Sequence, residues 1–121
     1  MRIEFNEEKK VITISTPGKN TVEISDDYKH IKLTYQNKNE IVINSSGISL
    51  SSAKDITLKA KGAITIEATS KINATAKQDV NLEGLNVKME AKVSATVKGN
   101  AKAELLASGQ TTVKGAMVMI N

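Results

Sequence analysis

The chain has 121 residues and a net charge of +4, with one proline, no cysteine, no tryptophan and only three aromatic residues. The length suits one domain, disulfides are excluded, and no apolar run approaches the roughly 20 residues of a membrane-spanning helix. Large rings dominate ordinary protein cores. We therefore expect either a very narrow cross-section or a core that is shared between chains.

Residues 1–47 form the first predicted domain, a wider amino-terminal region of short β-strands. Its β-branched runs occupy residues 11–14, 21–24, 31–35 and 40–43. Turn-forming residues separate these runs, such as Pro17-Gly18 and Asp26-Asp27. The spacing of about ten residues per strand and turn predicts a meander of strands.

Residues 48–121 form the second predicted domain, a repeat of eight residues that ends in a blunt apolar tip. Ile56, Ile64, Ile72 and Val80 recur every eight residues. The same period holds two positions later, at Leu58, Ile66, Ala74 and Leu82, and four positions later, at Ala60, Ala68, Ala76 and Gly84. The phase slips by one residue near Gly84-Leu85. Such a period predicts a repetitive β-structure rather than an irregular chain.

The charged residues test this assignment independently. Before the slip they occupy odd positions, with Lys54 as the exception, and after the slip they occupy even positions. The apolar residues assigned to the inward set have the opposite parity. A strict period of two predicts extended strands with one dry and one wet face, and it excludes a helix.

The short length of the repeat predicts assembly from three chains. One chain that formed all three walls of a coil would need 24 residues per turn and would leave two open edges for little core. We therefore predict an all-β fold, an intertwined homotrimeric triple-stranded β-helix, or β-prism, with octad repeats. The predicted trimer core consists of Ile56, Leu58, Ile64, Ile66, Ile72, Val80, Leu82, Val87, Met89, Val93, Val97, Leu105 and Val113.

The carboxyl end of the repeat carries no charge after Lys114. A soluble rod normally ends in a polar cap, so this uncapped apolar end predicts a docking surface. Its residues are Ala116, Met117, Val118, Met119 and Ile120.

The repeats and their two ends resemble the needle region of the VgrG family. The matching octads include residues 55–62 (DITLKAKG) and 63–70 (AITIEATS). Residues 12–20 (ITISTPGKN), followed by 22–25 (VEIS), resemble the stretch where that family leaves its barrel domain and enters the needle. Residues 111–121 (TTVKGAMVMIN) resemble the end of the needle. VgrG is the trimeric spike of type VI secretion systems and is similar to the spikes of contractile phage tails.

This resemblance implies a structural protein that punctures target membranes. It also implies that a small PAAR-repeat protein caps the tip, and that tail-tube or hub components bind through larger amino-terminal domains. Those domains, including an oligonucleotide-binding-like barrel, are absent from this sequence, so we expect a carboxy-terminal fragment. The family would be assembled in the bacterial cytoplasm and then secreted or injected into target cells.

The sequence offers little catalytic material. His30 is the single histidine and is interpreted as a solvated surface residue, while Asp26-Asp27 and Glu7-Glu8 are interpreted as turn residues. No Ser/His/Asp set, phosphate-binding glycine loop or metal-ligand spacing occurs, so we expect no enzyme activity, cofactor or metal site. A His-x-His pair of the kind that holds iron in some phage spike tips is also missing.

Three other functions remain open alternatives. The lysine excess of residues 54–121 could bind nucleic acid or anionic lipid, but the lysines are interleaved with acids and lack aromatic neighbours, so no nucleic-acid partner is expected. A trimeric adhesin or a phage receptor-binding fibre could use the same fold, although the plain surface lacks recognition residues. A carbohydrate-active single-chain β-helix would need clustered carboxylates and aromatic platforms.

Overall fold

The computed structural model describes residues 1–121 and contains six β-strands and no helix. The strands are β1 (Arg2–Asn6), β2 (Val11–Ser15), β3 (Asn20–Ser25), β4 (His30–Tyr35), β5 (Asn39–Asn44) and β6 (Gly47–Ser51). They form one antiparallel sheet in which each strand pairs with the next along the chain. The all-β prediction is therefore confirmed. No helix of the kind that could cross a bilayer is present.

Four of these strands coincide with the predicted β-branched runs, because β-branched side chains fit an extended, pleated backbone. β1 was not predicted. It lies before the turn at residues 7–10 and pairs with β2 from Arg2↔Ser15 to Asn6↔Val11. The alternation of its own five residues is too short to distinguish a strand from a loop without the neighbouring strand.

Each of the five hairpin turns contains a residue with positive φ or is followed by one. These residues are Lys10, Lys19, Lys29, Gln36, Asn37 and Gly47. Left-handed backbone allows the chain to reverse within a few residues, as hairpin turns require. Side chains close some turns as well: the Asn6 Oδ1 atom accepts a hydrogen bond from the Lys9 amide at 2.9 Å, and the Ser25 Oγ atom accepts one from the Tyr28 amide at 2.9 Å.

The register of the strands places the large apolar side chains on one face of the sheet. Cross-strand partners include Ile14↔Val22, Ile24↔Ile31 and Ile41↔Leu50. Since successive side chains of a strand point to opposite faces, the residues between them form a polar face. No hydrophobic residue is buried within the single chain, and only Ser25 and Thr34 are buried at all.

Beyond the sheet, straight segments alternate with bends. The straight segments, each of six residues, are 55–60, 63–68, 71–76, 79–84, 86–91, 94–99, 102–107 and 110–115. Two bend residues separate neighbouring segments everywhere except at Leu85, which forms a bend alone. The segments therefore start eight residues apart, except for a step of seven between residues 79 and 86.

Hydrogen bonding changes completely after β6. No backbone–backbone hydrogen bond within the chain involves residues 53–121, and no positive φ occurs after Gly47. By compactness the chain divides into two units, Met1–Ala68 and Thr69–Asn121. The predicted division between residues 47 and 48 stays a prediction.

Candidate assembly interface

The predicted trimer-core residues occupy two fixed places in the straight segments. When the residues of each segment are numbered from 1 to 6, every predicted core residue except Val93 lies at position 2 or position 4. Their side chains are exposed in the single chain, by 53% at Ile64 up to 78% at Val97. Val93 lies in a bend and is 96% exposed, and the bend residue Leu85 is fully exposed. Apolar side chains at positions 2 and 4 are thus consistently more sheltered than those at these bends.

Position 6 holds a small residue in every segment. These residues are Ala60, Ala68, Ala76, Gly84, Ala91, Gly99, Ala107 and Gly115. At Gly99, an added Cβ would overlap the backbone carbonyl oxygen of Lys102, and at Gly115 it would lie 3.1 Å from the carbonyl oxygen of Met117. The backbone of these two bends therefore folds back closely over position 6, so that a side chain at Gly99 would force the bend to shift.

Charged side chains occupy the other positions. Every Lys, Asp and Glu of residues 54–121 lies at position 1, 3 or 5 of a segment or in a bend. Two ion pairs join positions on the same side of a segment: the Lys88 Nζ and Glu90 Oε2 atoms are 3.0 Å apart, and the Lys102 Nζ and Glu104 Oε1 atoms are 2.5 Å apart. Both pairs are strongly exposed, so we expect each to add little stability by itself.

A second apolar surface was not among the predicted core residues. One face of the six-stranded sheet presents large side chains, most of which are at least two-fifths exposed. They are Ile3, Phe5, Ile12, Ile14, Val22, Ile24, Ile31, Leu33, Ile41, Ile43, Ile48 and Leu50. A hollow of about 370 Å³ opens beside Leu33, Ile41 and Leu50. The alternation within each strand was the sequence signal for this face, but the cross-strand register was needed to make it continuous.

His30 was interpreted as a solvated surface residue, but its side chain is partly buried. His30 begins β4, its side chain is 20% exposed, and its Nε2 atom lies 2.6 Å from the Glu23 Oε1 atom on β3. Its ring also stands 5.8 Å from the ring of Tyr28. This pair connects two neighbouring strands on the polar face. No three His, Cys, Asp or Glu side chains converge in a way that could hold a metal ion.

A small hydrogen-bonded junction lies where the sheet ends. The Asn39 Oδ1 atom accepts hydrogen bonds from the Ala53 amide at 2.9 Å and from the Ser52 hydroxyl at 3.3 Å. The Ser52 Oγ atom also accepts from the Lys54 amide at 3.1 Å. Asn39 thus holds the chain at the point where pairing within the chain stops. No sequence signal connects residues 14 positions apart, and this junction was not predicted.

The predicted docking residues lie at the carboxyl end. Ala116 and Met117 form the last bend, and Val118, Met119 and Ile120 follow it without a further bend. Met117, Met119 and Ile120 are each more than three-quarters exposed, while Val118 is half exposed. No acidic or basic side chain follows Lys114, so the final seven residues form an uninterrupted uncharged surface.

Comparison with known proteins gives one match. The family model described as phage baseplate V C-terminal trimerisation domain matches residues 11–121. No curated protein matches the chain. The match is consistent with the resemblance to a VgrG-like needle, and it covers every predicted core and docking residue. Residues 1–10, which include β1, lie outside it.

Proposed function

The chain belongs to the family of phage baseplate V C-terminal trimerisation domains, and from this premise we propose that it forms the needle of a type VI secretion-like injection machine. The family is structural, which makes the chain a component of a phage-tail-like spike. The finer proposal is that three copies wind together into a triple-stranded β-helix and transmit thrust along its axis into a target membrane.

One observation carries this proposal: residues 55–121 satisfy neither their backbone nor their apolar side chains within one chain. Backbone N–H and C=O groups removed from water need partners. The six-residue straight segments can obtain those partners from the segments of two other copies. The same association removes the apolar side chains at positions 2 and 4 from water. Folding and trimerisation would then be a single event.

The small residues at position 6 support three chains around one axis. In the proposed trimer, the position-6 side chains of the three chains lie close together at each bend. Ala and Gly are the residues small enough to let the three backbones approach one another there. The proposed stiffness of the needle comes from hydrogen bonds between chains and from the aliphatic contacts at positions 2 and 4. No catalytic group takes part.

At its carboxyl end, the proposed needle docks a PAAR-repeat tip protein on residues 116–120. The exposed methionines support this role, because flexible thioether side chains adapt to a partner surface. Three copies of this segment would present an apolar platform without charge, which is costly to leave in water. In this proposal, the needle assembles in the bacterial cytoplasm and is then injected into the target cell.

Two measurements test the proposal. Light scattering during size-exclusion chromatography should give the mass of a trimer, and a monomeric mass would overturn the needle. Pulldown of a PAAR-repeat protein should then be compared between the full chain and a variant that ends at residue 114. Equal binding by the shortened variant would overturn the docking role, while the trimer mass would still support the shaft and leave a receptor-binding fibre as the better function.

A further inference from the structure

The four methionines of the chain occupy three different settings. Met1 is the amino-terminal residue, Met89 lies at position 4 of a straight segment, and Met117 and Met119 lie in the uncharged carboxyl end. We infer that Met117 and Met119 form an oxidation-sensitive site, at which peroxides convert the thioethers to sulfoxides and thereby weaken docking of the tip protein. The inference rests on the proposed docking role and adds a chemical control to it.

Both methionines of the carboxyl end are open to small oxidants. Their side chains are 79% exposed at Met117 and 86% exposed at Met119, close to the 88% of Met1. The last six-residue straight segment ends at residue 115. In the proposed shaft, no further layer of segments therefore covers these two side chains, and a peroxide can reach their sulfur atoms from solvent.

Met89 has the same chemistry in the opposite setting. It is 72% exposed in the single chain, but its place at position 4 assigns it to the predicted trimer core. Close packing in such a core leaves no path for a peroxide to the sulfur atom. In the proposed trimer, the rate of oxidation therefore distinguishes the carboxyl end from the core within one chain.

The chemical step transfers one oxygen atom to sulfur. A sulfur lone pair attacks the O–O bond of hydrogen peroxide, an S–O bond forms and the O–O bond breaks. The departing hydroxide takes the proton of the transferred oxygen and leaves as water. Sulfur loses two electrons and the peroxide gains them. The product, methionine sulfoxide, is polar, and methionine sulfoxide reductases return it to the thioether.

A sulfoxide opposes docking because it places a strong hydrogen-bond acceptor in an apolar surface. Within residues 115–121, the only side chain that can donate a hydrogen bond is the amide of Asn121. A sulfoxide oxygen that is buried against a partner without a donor is an unsatisfied polar group, which is costly. Each chain contributes two such sulfur atoms, so the proposed trimer multiplies the effect at one surface.

Docking should in turn slow the oxidation. A partner that sits on residues 116–120 covers the thioethers of Met117 and Met119, whereas Met1 lies outside the docking surface. The loss of docking after oxidation and the protection from oxidation by docking are therefore two separate readouts of one site. A methionine that only adds apolar area elsewhere would show neither.

Peptide mapping by mass spectrometry after graded treatment with hydrogen peroxide tests the accessibility of each methionine. In the natural trimer, Met117 and Met119 should oxidise at a rate close to that of Met1, and Met89 about tenfold more slowly. Addition of a PAAR-repeat protein should slow oxidation of Met117 and Met119 and leave the rate at Met1 unchanged.

Pulldown then tests the effect on docking. Catalase removes the peroxide before the PAAR-repeat protein is added, so that only this chain is oxidised. The oxidised chain should bind at least about tenfold more weakly than the reduced chain, and treatment with methionine sulfoxide reductases should restore binding.

A pair of variants isolates the two sulfur atoms. Met117→Leu with Met119→Leu keeps the apolar volume and cannot form a sulfoxide, so it should dock equally before and after peroxide. The matched control, Met89→Leu, retains both methionines of the carboxyl end and should lose docking after peroxide as the natural chain does.

The outcomes separate this inference from the proposed function. Equal docking by the reduced and the oxidised natural chain would overturn the inference and leave the docking role intact. Slow oxidation of Met117 and Met119 relative to Met1 in the free trimer would overturn it as well, and so would loss of docking by the peroxide-treated double leucine variant. Failure of the reduced natural chain to dock would overturn the docking role itself.

Discussion

The sheet of residues 2–51 and the segments of residues 55–121 are built from similar β-forming residues, yet they satisfy their backbones differently. In the sheet, every turn contains a left-handed residue or is followed by one, and the chain returns antiparallel to itself. In the segments, the bends contain no such residue and the backbone has no partner within the chain. Turn chemistry thus distinguishes the region that pairs with its own chain from the region that does not.

This comparison also explains the composition. The sheet holds all three aromatic residues, and residues 53–121 hold all the alanines. A sheet face can accommodate large rings because it is broad. In the proposed trimer, close packing of three chains around an axis would leave room for aliphatic and small side chains instead. The deficit of large apolar residues is therefore concentrated in the region for which a shared core is proposed.

The largest expected effect comes from a charge at position 4. Ile66→Lys would place three lysines in the proposed shared core, and an unpaired buried charge costs several kcal/mol per chain. We expect loss of the trimer, measured as a monomeric mass by light scattering. Thr65→Lys, at the adjacent polar position of the same segment, is the matched control and should remain trimeric. Equal behaviour of the two variants would contradict the assignment of the dry and wet faces.

A smaller effect is expected from a methyl group at position 6. Gly99→Ala brings a Cβ into the backbone carbonyl of Lys102, and the resulting shift of the bend costs about 1–3 kcal/mol per chain. The thermal unfolding midpoint should fall, at a fixed protein concentration because assembly and folding are linked. Gly109→Ala is the control, since an added Cβ there meets no atom within 4 Å. A Gly99→Ala midpoint equal to that of Gly109→Ala would show that the bend is not tightly packed.

The junction between the two regions should respond to Asn39. Asn39→Ala removes the acceptor of the Ala53 amide and the Ser52 hydroxyl, with an expected loss of about 1 kcal/mol. Hydrogen exchange at the Ala53 amide should accelerate. Asn39→Asp keeps an acceptor oxygen and should restore slow exchange, whereas failure of this rescue would argue that Asn39 acts through packing rather than through its Oδ1 atom.

The smallest effect concerns the sheet alone. His30→Ala removes the hydrogen-bond partner of Glu23 across β3 and β4, and we expect a loss of about 0.5 kcal/mol, at the low end for a side-chain hydrogen bond. Urea unfolding of His30→Ala, Glu23→Gln and the double variant measures the coupling. A coupling energy of zero would mean that the 2.6 Å contact does not stabilise the sheet.

The repeat is a prediction that needs no coordinates, because strict alternation and an eight-residue period are local properties of the sequence. The odd-to-even change of charged positions predicted the slip at Gly84-Leu85, and a single-residue bend lies at Leu85. Parity placed Val93 among the predicted core residues, and it lies in a bend rather than in a straight segment. Parity alone cannot distinguish a straight segment from a bend.

The sequence by itself determined the β class and four of the six strands, and it predicts the two faces of the repeat and an uncharged end. Each of these depends on the order of residues over a few positions, where backbone geometry imposes its period of two. Only the tertiary structure decided that β1 completes the sheet, that His30 meets Glu23, and that Asn39 holds the chain at Ala53. These contacts join residues that are distant along the chain or depend on strand register, and they exist only once the strands have paired.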